Sequence, residues 1–526
     1  ETGEKGIDKM SETSPTDYDG ADSSPPQQGG GGLAKVVQWF DTRLGLSHEL
    51  LRPAPAYSVN PFYWLGALAV VAFAIQGITG LMMMLYYIPT PSQAYSSTQF
   101  IFQNVSYGTF LETVHLYTAY AMIMLAFMHM MRGYFVSVHK SPRELMWVVG
   151  MGMGFVTLGF GFTGYLLPWT IVSKSATDVG VGMIDALPQP ISNFLSFLVI
   201  GGGGSAEQLL RFYDLHVVVL PGVLLLLLVT KMYMLETHGV SEPVTGPDPP
   251  PAKKRRLIPI FPDLSFYLLE LACIFGSVML LVSVAFPLTL GPEYSPALAG
   301  QTAAQPDWYF LWIYQILKIS VFEGPGLPVA LGLVSLIFVA LLLLPFIDRG
   351  RSRRIANRMK FITVGAIFVA EVAVLAVWGH FTPGAIIPAE QAVLVLGGTA
   401  LLVALVSLLS YRLVFRNLAK GTAPLGTAPS SPAPYASRSF DTASLWTAGS
   451  FVLVLTLGTF GISGLIGSAV SLLAQGYASS MLLPIALASA ELAVAILGAV
   501  YLLYRLDLGT GSIKRRIAAF EVGWKD

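Results

Sequence analysis

Three histidines and four glycines carry the first chemical signal. His115 and His129 stand fourteen residues apart in one apolar stretch. On a helix that interval is roughly 21 Å of rise and about 40° short of four full turns, so both imidazoles point the same way at two depths. His216 lies a few residues inside one end of another apolar stretch, as His115 does in its own. Glycine pairs repeat the interval: Gly66 and Gly80 in one stretch, Gly150 and Gly164 in another. A missing side chain lets a flat macrocycle approach the backbone. Neutral imidazoles facing each other across a bundle suit the iron of a low-spin haem. The plainer alternatives are polar residues turned to a bundle interior and small-residue helix packing, which 52 glycines make common. Intramembrane histidines are rare and usually functional. Two glycine pairs at the histidine interval therefore point to a four-helix bundle holding haem at two levels.

Such residues need spanning helices to position them. The chain has 526 residues, 54% hydrophobic and 12% charged, with a mean hydropathy of +0.63. A soluble domain is about 25% charged, so the composition predicts an all-α polytopic membrane protein. Ten candidate spans are read at about 63–88, 113–137, 146–169, 213–236, 264–289, 326–347, 361–380, 391–411, 445–474 and 481–504. The histidines fall in the second and fourth, the glycine pairs in the first and third. Loops 139–145, 237–263, 348–360, 412–443 and the tail 505–526 carry 2, 4, 6, 4 and 5 Lys/Arg; 171–212 carries two, and 89–112, 288–310, 381–390 and 475–480 carry none. The positive-inside rule then predicts a multi-pass protein of the cell inner membrane with both termini cytoplasmic and His115 and His216 near the outer face. Residues 1–32 read as a disordered cytoplasmic tail with no signal-peptide pattern. Residues 33–50 read as an amphipathic surface helix and 422–436 as a linker.

Lys+Arg and Asp+Glu both total 31, and zero net charge excludes a nucleic-acid binder working by bulk positive charge. Cys273 is the one cysteine, which excludes a disulfide scaffold, an iron–sulfur cluster held by this chain alone and haem attachment through a Cys pair.

Six segments sharpen the reading: NPFYWLG (60–66), PRELMWV (142–148), FGFTGYLLPW (160–169), RFYDLH (211–216), VLP (219–221) and QPDWYFLWIYQILK (305–318). With them, the stretch from Ala54 to about Trp378 resembles cytochrome b of the quinol–cytochrome c oxidoreductases. It is most similar to the version in cytochrome b–f complexes, as if the four-helix and three-helix chains found there were fused. The resemblance covers about 60% of the chain and leaves the eighth, ninth and tenth spans outside. It implies a division into a tail (1–32), an N-terminal dihaem domain (33–238), a C-terminal three-helix domain (239–385), extra helices (386–505) and a cytoplasmic tail (506–526).

The resemblance also implies roles. Two non-covalent haem b groups are expected, the outer bound by His115 and His216. Quinol is expected to be oxidised at an outer site where Pro306-Asp307-Trp308-Tyr309 stands for the family's Pro-Glu-Trp-Tyr. Asp307 there would accept a quinol proton, with Tyr309 beside it; the alternative for Asp307 is a helix N-cap. One electron would go to a Rieske iron–sulfur protein and on to a cytochrome c-type subunit or carrier. The other would cross by way of the haems to an inner quinone site, storing about 2.3 kcal/mol per charge per 100 mV. Asp263 and His238 are candidate proton donors at that inner site. The expected assembly is a homodimer within a larger complex, in contact with membrane lipid.

Departures from the family pattern matter. Arg132 matches the family's inner propionate partner, but the outer partner's position is Glu112, leaving Arg211 as candidate. Trp64 stands where the b–f version has the cysteine of an extra haem, so none is expected. The second fourth-span histidine of that version lies fifteen residues after the first, and counting from His216 lands on Lys231. An amine binds iron only when neutral, and burial and the metal both favour that form. Lys231 is therefore the expected second ligand of the inner haem, opposite His129; the alternative is a lysine snorkelling to the interface. The eighth to tenth spans, with Glu491 as an interhelix contact, are expected to serve packing or partner binding. Two other functions stay open: a dihaem membrane anchor of a dehydrogenase or hydrogenase, which leaves the PDWY loop unexplained, and a transporter with a buried lysine and no haem.

Overall fold

Apolar runs of twenty residues and more, bounded by Pro, Gly and polar loops, become helices. The computed structural model describes residues 53–412, apart from 56–57, 202–204, 242–256, 298–304, 351 and 354–356, together with Trp39, Thr42 and Arg43. Helices α1 (Leu65–Met84), α2 (Ala94–Asn104), α3 (Gly108–Phe135), α4 (Glu144–Leu166), α5 (Ile171–Asp185), α6 (Ile191–Ile200) and α7 (Ser205–His238) form the first part. Helices α8 (Ser265–Ala285), α9 (Trp308–Leu317), α10 (Leu327–Leu342), α11 (Met359–Phe381) and α12 (Ala389–Ser410) follow. Eight of the described helices are long and apolar enough to cross a membrane: α1, α3, α4, α7, α8, α10, α11 and α12. They match the first eight expected spans. The ninth and tenth spans, Glu491, the linker at 422–436 and both tails lie outside the described residues, as does the 33–50 segment apart from Trp39, Thr42 and Arg43.

The four-helix bundle consists of α1 packed on α3 and α4 packed on α7, with α3 against α4. Helix α8 leans on α3 and α1, while α9, α11 and α12 form a second layer reached through α11 against α3. A short antiparallel pair, β1 (Pro53–Pro55) with β2 (Leu257–Pro259), ties the approach to α1 to the approach to α8. The stretch read as a loop over 171–212 is instead mostly helical, holding α5, α6 and the first turns of α7. Thr170 caps α5 with its hydroxyl on the Ser173 backbone N–H at 3.2 Å, a reciprocal capping box. The first turns of α7 pack Leu209 and Phe212 against Leu166 and Trp169 of the α4 end and also bury Gln208, so this amphipathic start lies under α4.

Helix α7 is not regular throughout. Leu215–Val219 forms one π-helical turn just before Pro221. Proline has no N–H for the carbonyl one turn back, and its ring crowds that carbonyl, which opens the turn. One residue is thereby added with little rise. This is the physical reason that fifteen residues separate His216 from Lys231 on α7 while fourteen separate His115 from His129 on α3.

Where the loops carry Lys and Arg, a buried charge cluster joins the two layers. Asp348, 4% exposed, accepts from His139 Nε2 at 3.0 Å, Lys140 Nζ at 3.0 Å and Arg358 Nε at 3.0 Å. Arg358 also donates to Ser137, and Trp147 Nε1 to the Leu341 carbonyl at 2.8 Å. These bonds fasten the α3–α4 loop to the α10–α11 connection.

Candidate functional site

Antiparallel packing sets each glycine against a ligand candidate. A Cβ added at Gly80 of α1 would stand 3.4 Å from His115 Cε1, and one at Gly66 3.0 Å from His129 Cε1. On the other pair, a Cβ at Gly164 of α4 would meet His216 Cε1 at 2.6 Å, and one at Gly150 would meet Lys231 Nζ at 2.9 Å. The register between α4 and α7 shifts by one residue between the two levels, and the π turn takes it up. All four glycines thus open space beside an imidazole or an amine, whereas Gly77 of α1 faces nothing within 4 Å.

At the His115 level the two imidazoles oppose each other with ring centroids 6.4 Å apart. A metal–nitrogen bond of about 2.0 Å on each side plus a ring radius of about 1.1 Å gives about 6 Å, so the pair fits an iron held from both sides. Two threonines settle which nitrogen is free. Thr79 Oγ1 lies 2.8 Å from His115 Nδ1 and gives its own proton to the Ile75 carbonyl at 2.7 Å. Thr163 Oγ1 lies 3.1 Å from His216 Nδ1 and gives its proton to the Gly159 carbonyl at 2.8 Å. A hydroxyl has one proton, so in both pairs Nδ1 must donate. That leaves Nε2 unprotonated and free to bind a metal, the arrangement of a metal-binding histidine. Gln76 Nε2 further grips the His115 carbonyl at 2.5 Å.

At the other level Lys231 turns its amine to α4 against Gly150, and His129 stands against Gly66 of α1. His129 Nδ1 is buried with no hydrogen-bond partner, and among the described residues Lys231 forms no hydrogen bond or ion pair. An amine with no partner among the described residues and an imidazole, each beside a glycine, are donor types that suit an iron ligand pair. Arg132 stacks over the Tyr63 ring at 3.9 Å, just ahead of α1. Arg211 on α7 lies 6.0 Å from the Phe197 ring centroid and beside Gly201. His238 closes α7 with its carbonyl accepting from Arg143 Nη2 at 3.0 Å, and Asp263 stands in the turn leading into α8.

Asp307 opens α9. It occupies the N-cap position, yet its carboxylate makes no capping hydrogen bond. Oδ1 instead accepts from the Tyr120 hydroxyl at 2.9 Å and Oδ2 from the Tyr309 hydroxyl at 3.3 Å. Beside it lies a mostly apolar pocket of about 690 Å³, open mouth included, with Phe162 and Tyr165 of α4, Ala176 and Thr177 of α5 and Asp307 and Tyr309 in its walls. Burial pushes the Asp307 carboxyl above its ordinary value, against the pull of the two tyrosine hydrogen bonds. The Tyr309 phenol is pushed well above its ordinary value, by burial first and by Asp307 second. A carboxylate of raised basicity at the edge of an apolar pocket can take a proton from a hydroxyl of a bound apolar molecule.

Reading the sequence alone missed Thr79, Thr163 and Tyr120. The threonines had a signal, since Thr-Gly occurs at the matching place in both glycine-bearing helices. Tyr120 had none, because its partner lies 187 residues away.

Residues 120–297 match the family described as Cytochrome b(N-terminal)/b6/petB, and residues 297–401 match Cytochrome b(C-terminal)/b6/petD. The second match runs into α12, so the likeness reaches the eighth span, further than the sequence motifs indicated. A cytochrome bc complex cytochrome b subunit from Chlorobaculum thiosulfatiphilum is 34% identical over 345 residues, 64% of this chain and 78% of that one. A cytochrome b6 from Heliobacterium mobile is 40% identical over 214 residues, 40% of this chain and 100% of that one. A solved chain described as Hyperthermophilic respiratory Complex III shares the fold, with a TM-score of 0.60 and 23% identity over 73% of this chain and 97% of that one.

Proposed function

Because the chain belongs to the cytochrome b family of bc-type complexes, we propose that it oxidises quinol in the pocket beside Asp307, on the outer side of the cell inner membrane. The observation that carries this is the carboxylate itself. It stands at the rim of an apolar pocket, spared from helix capping and held by two phenols. A dihaem anchor that passes electrons without bifurcating them leaves the PDWY loop at this pocket unexplained.

The residues divide the work. Phe162, Tyr165 and Ala176 exclude water and bind the apolar quinol ring. Asp307 accepts a hydroxyl proton, and Tyr309 lines the pocket and orients the carboxylate. His115 and His216 hold one haem b, His129 and Lys231 a second, with Arg132 and Arg211 as propionate partners and Gly66, Gly80, Gly150 and Gly164 giving the macrocycle room. When bound, the two haems supply one-electron carriers at two depths of the membrane. Asp263 and His238 serve an inner quinone site, so that turnover is coupled to proton translocation. The electron acceptors are a Rieske iron–sulfur protein and, beyond it, a cytochrome c-type subunit or carrier. This sequence, with Cys273 as its one cysteine, holds neither centre itself. Residues 33–238 act as the dihaem domain and 239–385 as the quinol-site domain, with both termini cytoplasmic and the complex a homodimer.

The test is quinol-driven electron transfer by the assembled complex carrying Asp307→Asn. A pH profile that loses its acid limb supports the reading, and a profile identical to the native one removes it.

A further inference from the structure

The Asp307 carboxylate stands between two surroundings. On one side is the pocket. On the other is α3, whose Tyr120 is no part of the pocket wall and donates its hydroxyl to Oδ1 at 2.9 Å. Oδ2 takes the longer bond from Tyr309, 3.3 Å, and that hydroxyl lies equally close to the Gly161 carbonyl, 3.2 Å. One proton serves both acceptors, so the Tyr309 bond is divided while the Tyr120 bond is whole. Among the described residues, the groups acting on Asp307 are Tyr120 from α3, Tyr165 from α4 and Tyr309 from α9, all neutral phenols. A buried carboxylate facing no cation stays ionised only through hydrogen-bond donors. The Tyr120 ring is itself fixed, edge-on to Trp308 at 6.4 Å and against Tyr309 at 6.2 Å, and it sits on a long helix rather than a loop.

From this geometry we propose that Tyr120 is a positioning residue for quinol oxidation: it pins Oδ1 so that Oδ2 stays presented to the pocket as the proton-accepting oxygen, and it keeps Asp307 ionised until quinol arrives. The proposal rests on the reading of Asp307 as proton acceptor. Quinol then gives one hydroxyl proton to Oδ2, where the O–H bond forms as the quinol O–H breaks. Tyr120 keeps its own proton throughout.

The experiment follows quinol-driven electron transfer by the assembled complex across pH, for the native chain, Y120F, Y309F and D307N. Removing the donor from the ionised form raises the pH at which Asp307 deprotonates. Y120F is expected to move the acid limb up by about one pH unit, with the haem spectrum near native. Y309F is expected to move it less. A Y120F rate lowered evenly at all pH, with the limb in place, is the signature of a merely structural role and overturns the proposal. Should Y120F not assemble, Y309F decides: a shift of a full unit or more makes Tyr309 the main donor and overturns it, and a smaller shift supports it. D307N separates the two readings. If D307N keeps the native limb, the acceptor reading fails. If D307N abolishes the limb and Y120F leaves it in place, only the role of Tyr120 fails.

Discussion

Asp348→Asn is the sharpest probe of what joins the two layers. The carboxylate is 4% exposed and accepts from three side chains, His139, Lys140 and Arg358. Burial alone would raise its pKa, but the hydrogen bonds from Lys140, Arg358 and His139 outweigh it and hold the carboxyl below its ordinary value. The isosteric amide keeps the volume and removes the charge. Lys140, 9% exposed, and Arg358, 4% exposed, then remain buried without a counter-charge. Stranding a buried charge costs about 3–5 kcal/mol. Lys140 keeps the Gly350 carbonyl and Arg358 keeps Ser137, which places the effect at the lower end, about 3 kcal/mol. At about 2–4 °C per kcal/mol for a domain of roughly 150–250 residues, and less for a larger one, that is several degrees of melting temperature. The assay is retention of haem absorbance by the purified complex on heating. A companion pH series fixes the sign. His139 is pushed down to about 4, by burial first, with Arg358 adding and the Asp348 bond opposing. The folded chain therefore leaves this imidazole neutral where the unfolded chain protonates it. Stability is full above about 6.5 and falls as pH drops from there toward 4, by roughly 3 kcal/mol. A D348N complex melting within a degree of native, or a native complex indifferent to pH across that window, would show that this cluster does not hold the two layers together.

Three further outcomes are expected. Gly164→Ala sets a Cβ 2.6 Å from His216 Cε1 and should cost the haem at that level, while Gly77→Ala, with nothing within 4 Å, should leave both in place; haem content per chain decides. Thr163→Val removes one acceptor for the His216 imidazole, leaving the Phe160 carbonyl, and should weaken haem retention about tenfold, read by transfer to a haem scavenger; unchanged retention would remove the threonine from the site. Lys231→His should give the second haem two imidazole ligands and shift its low-temperature spectrum, and a spectrum unaltered by the change would show that Lys231 does not bind iron.

Spacing made the bundle legible. Fourteen-residue intervals among His and Gly are set by helical geometry, and the structure turns all four glycines toward the histidines and Lys231. The loops were less legible because their helices are short and amphipathic: α5 and the start of α7 lack the long apolar run that marks a span, so 171–212 read as loop. The π turn was visible only as one residue of excess spacing before a proline. Tertiary pairs such as Tyr120 with Asp307, or His139 with Asp348, join segments about 200 residues apart and leave no local pattern. Asp307 itself stood out only through the motif around it, since composition and periodicity do not distinguish a proton acceptor from a cap.

Quinol oxidation in the pocket beside Asp307 is the step on which the proposed function stands. It is tested most directly by stopped-flow reduction of the b haems by quinol in the assembled complex, with and without an apolar inhibitor filling that pocket, the inner site being blocked in both. Rapid reduction is expected, abolished by the inhibitor and slowed by Asp307→Asn at pH above the acid limb, where the native carboxylate is ionised. Reduction at the native rate with the pocket filled would contradict it.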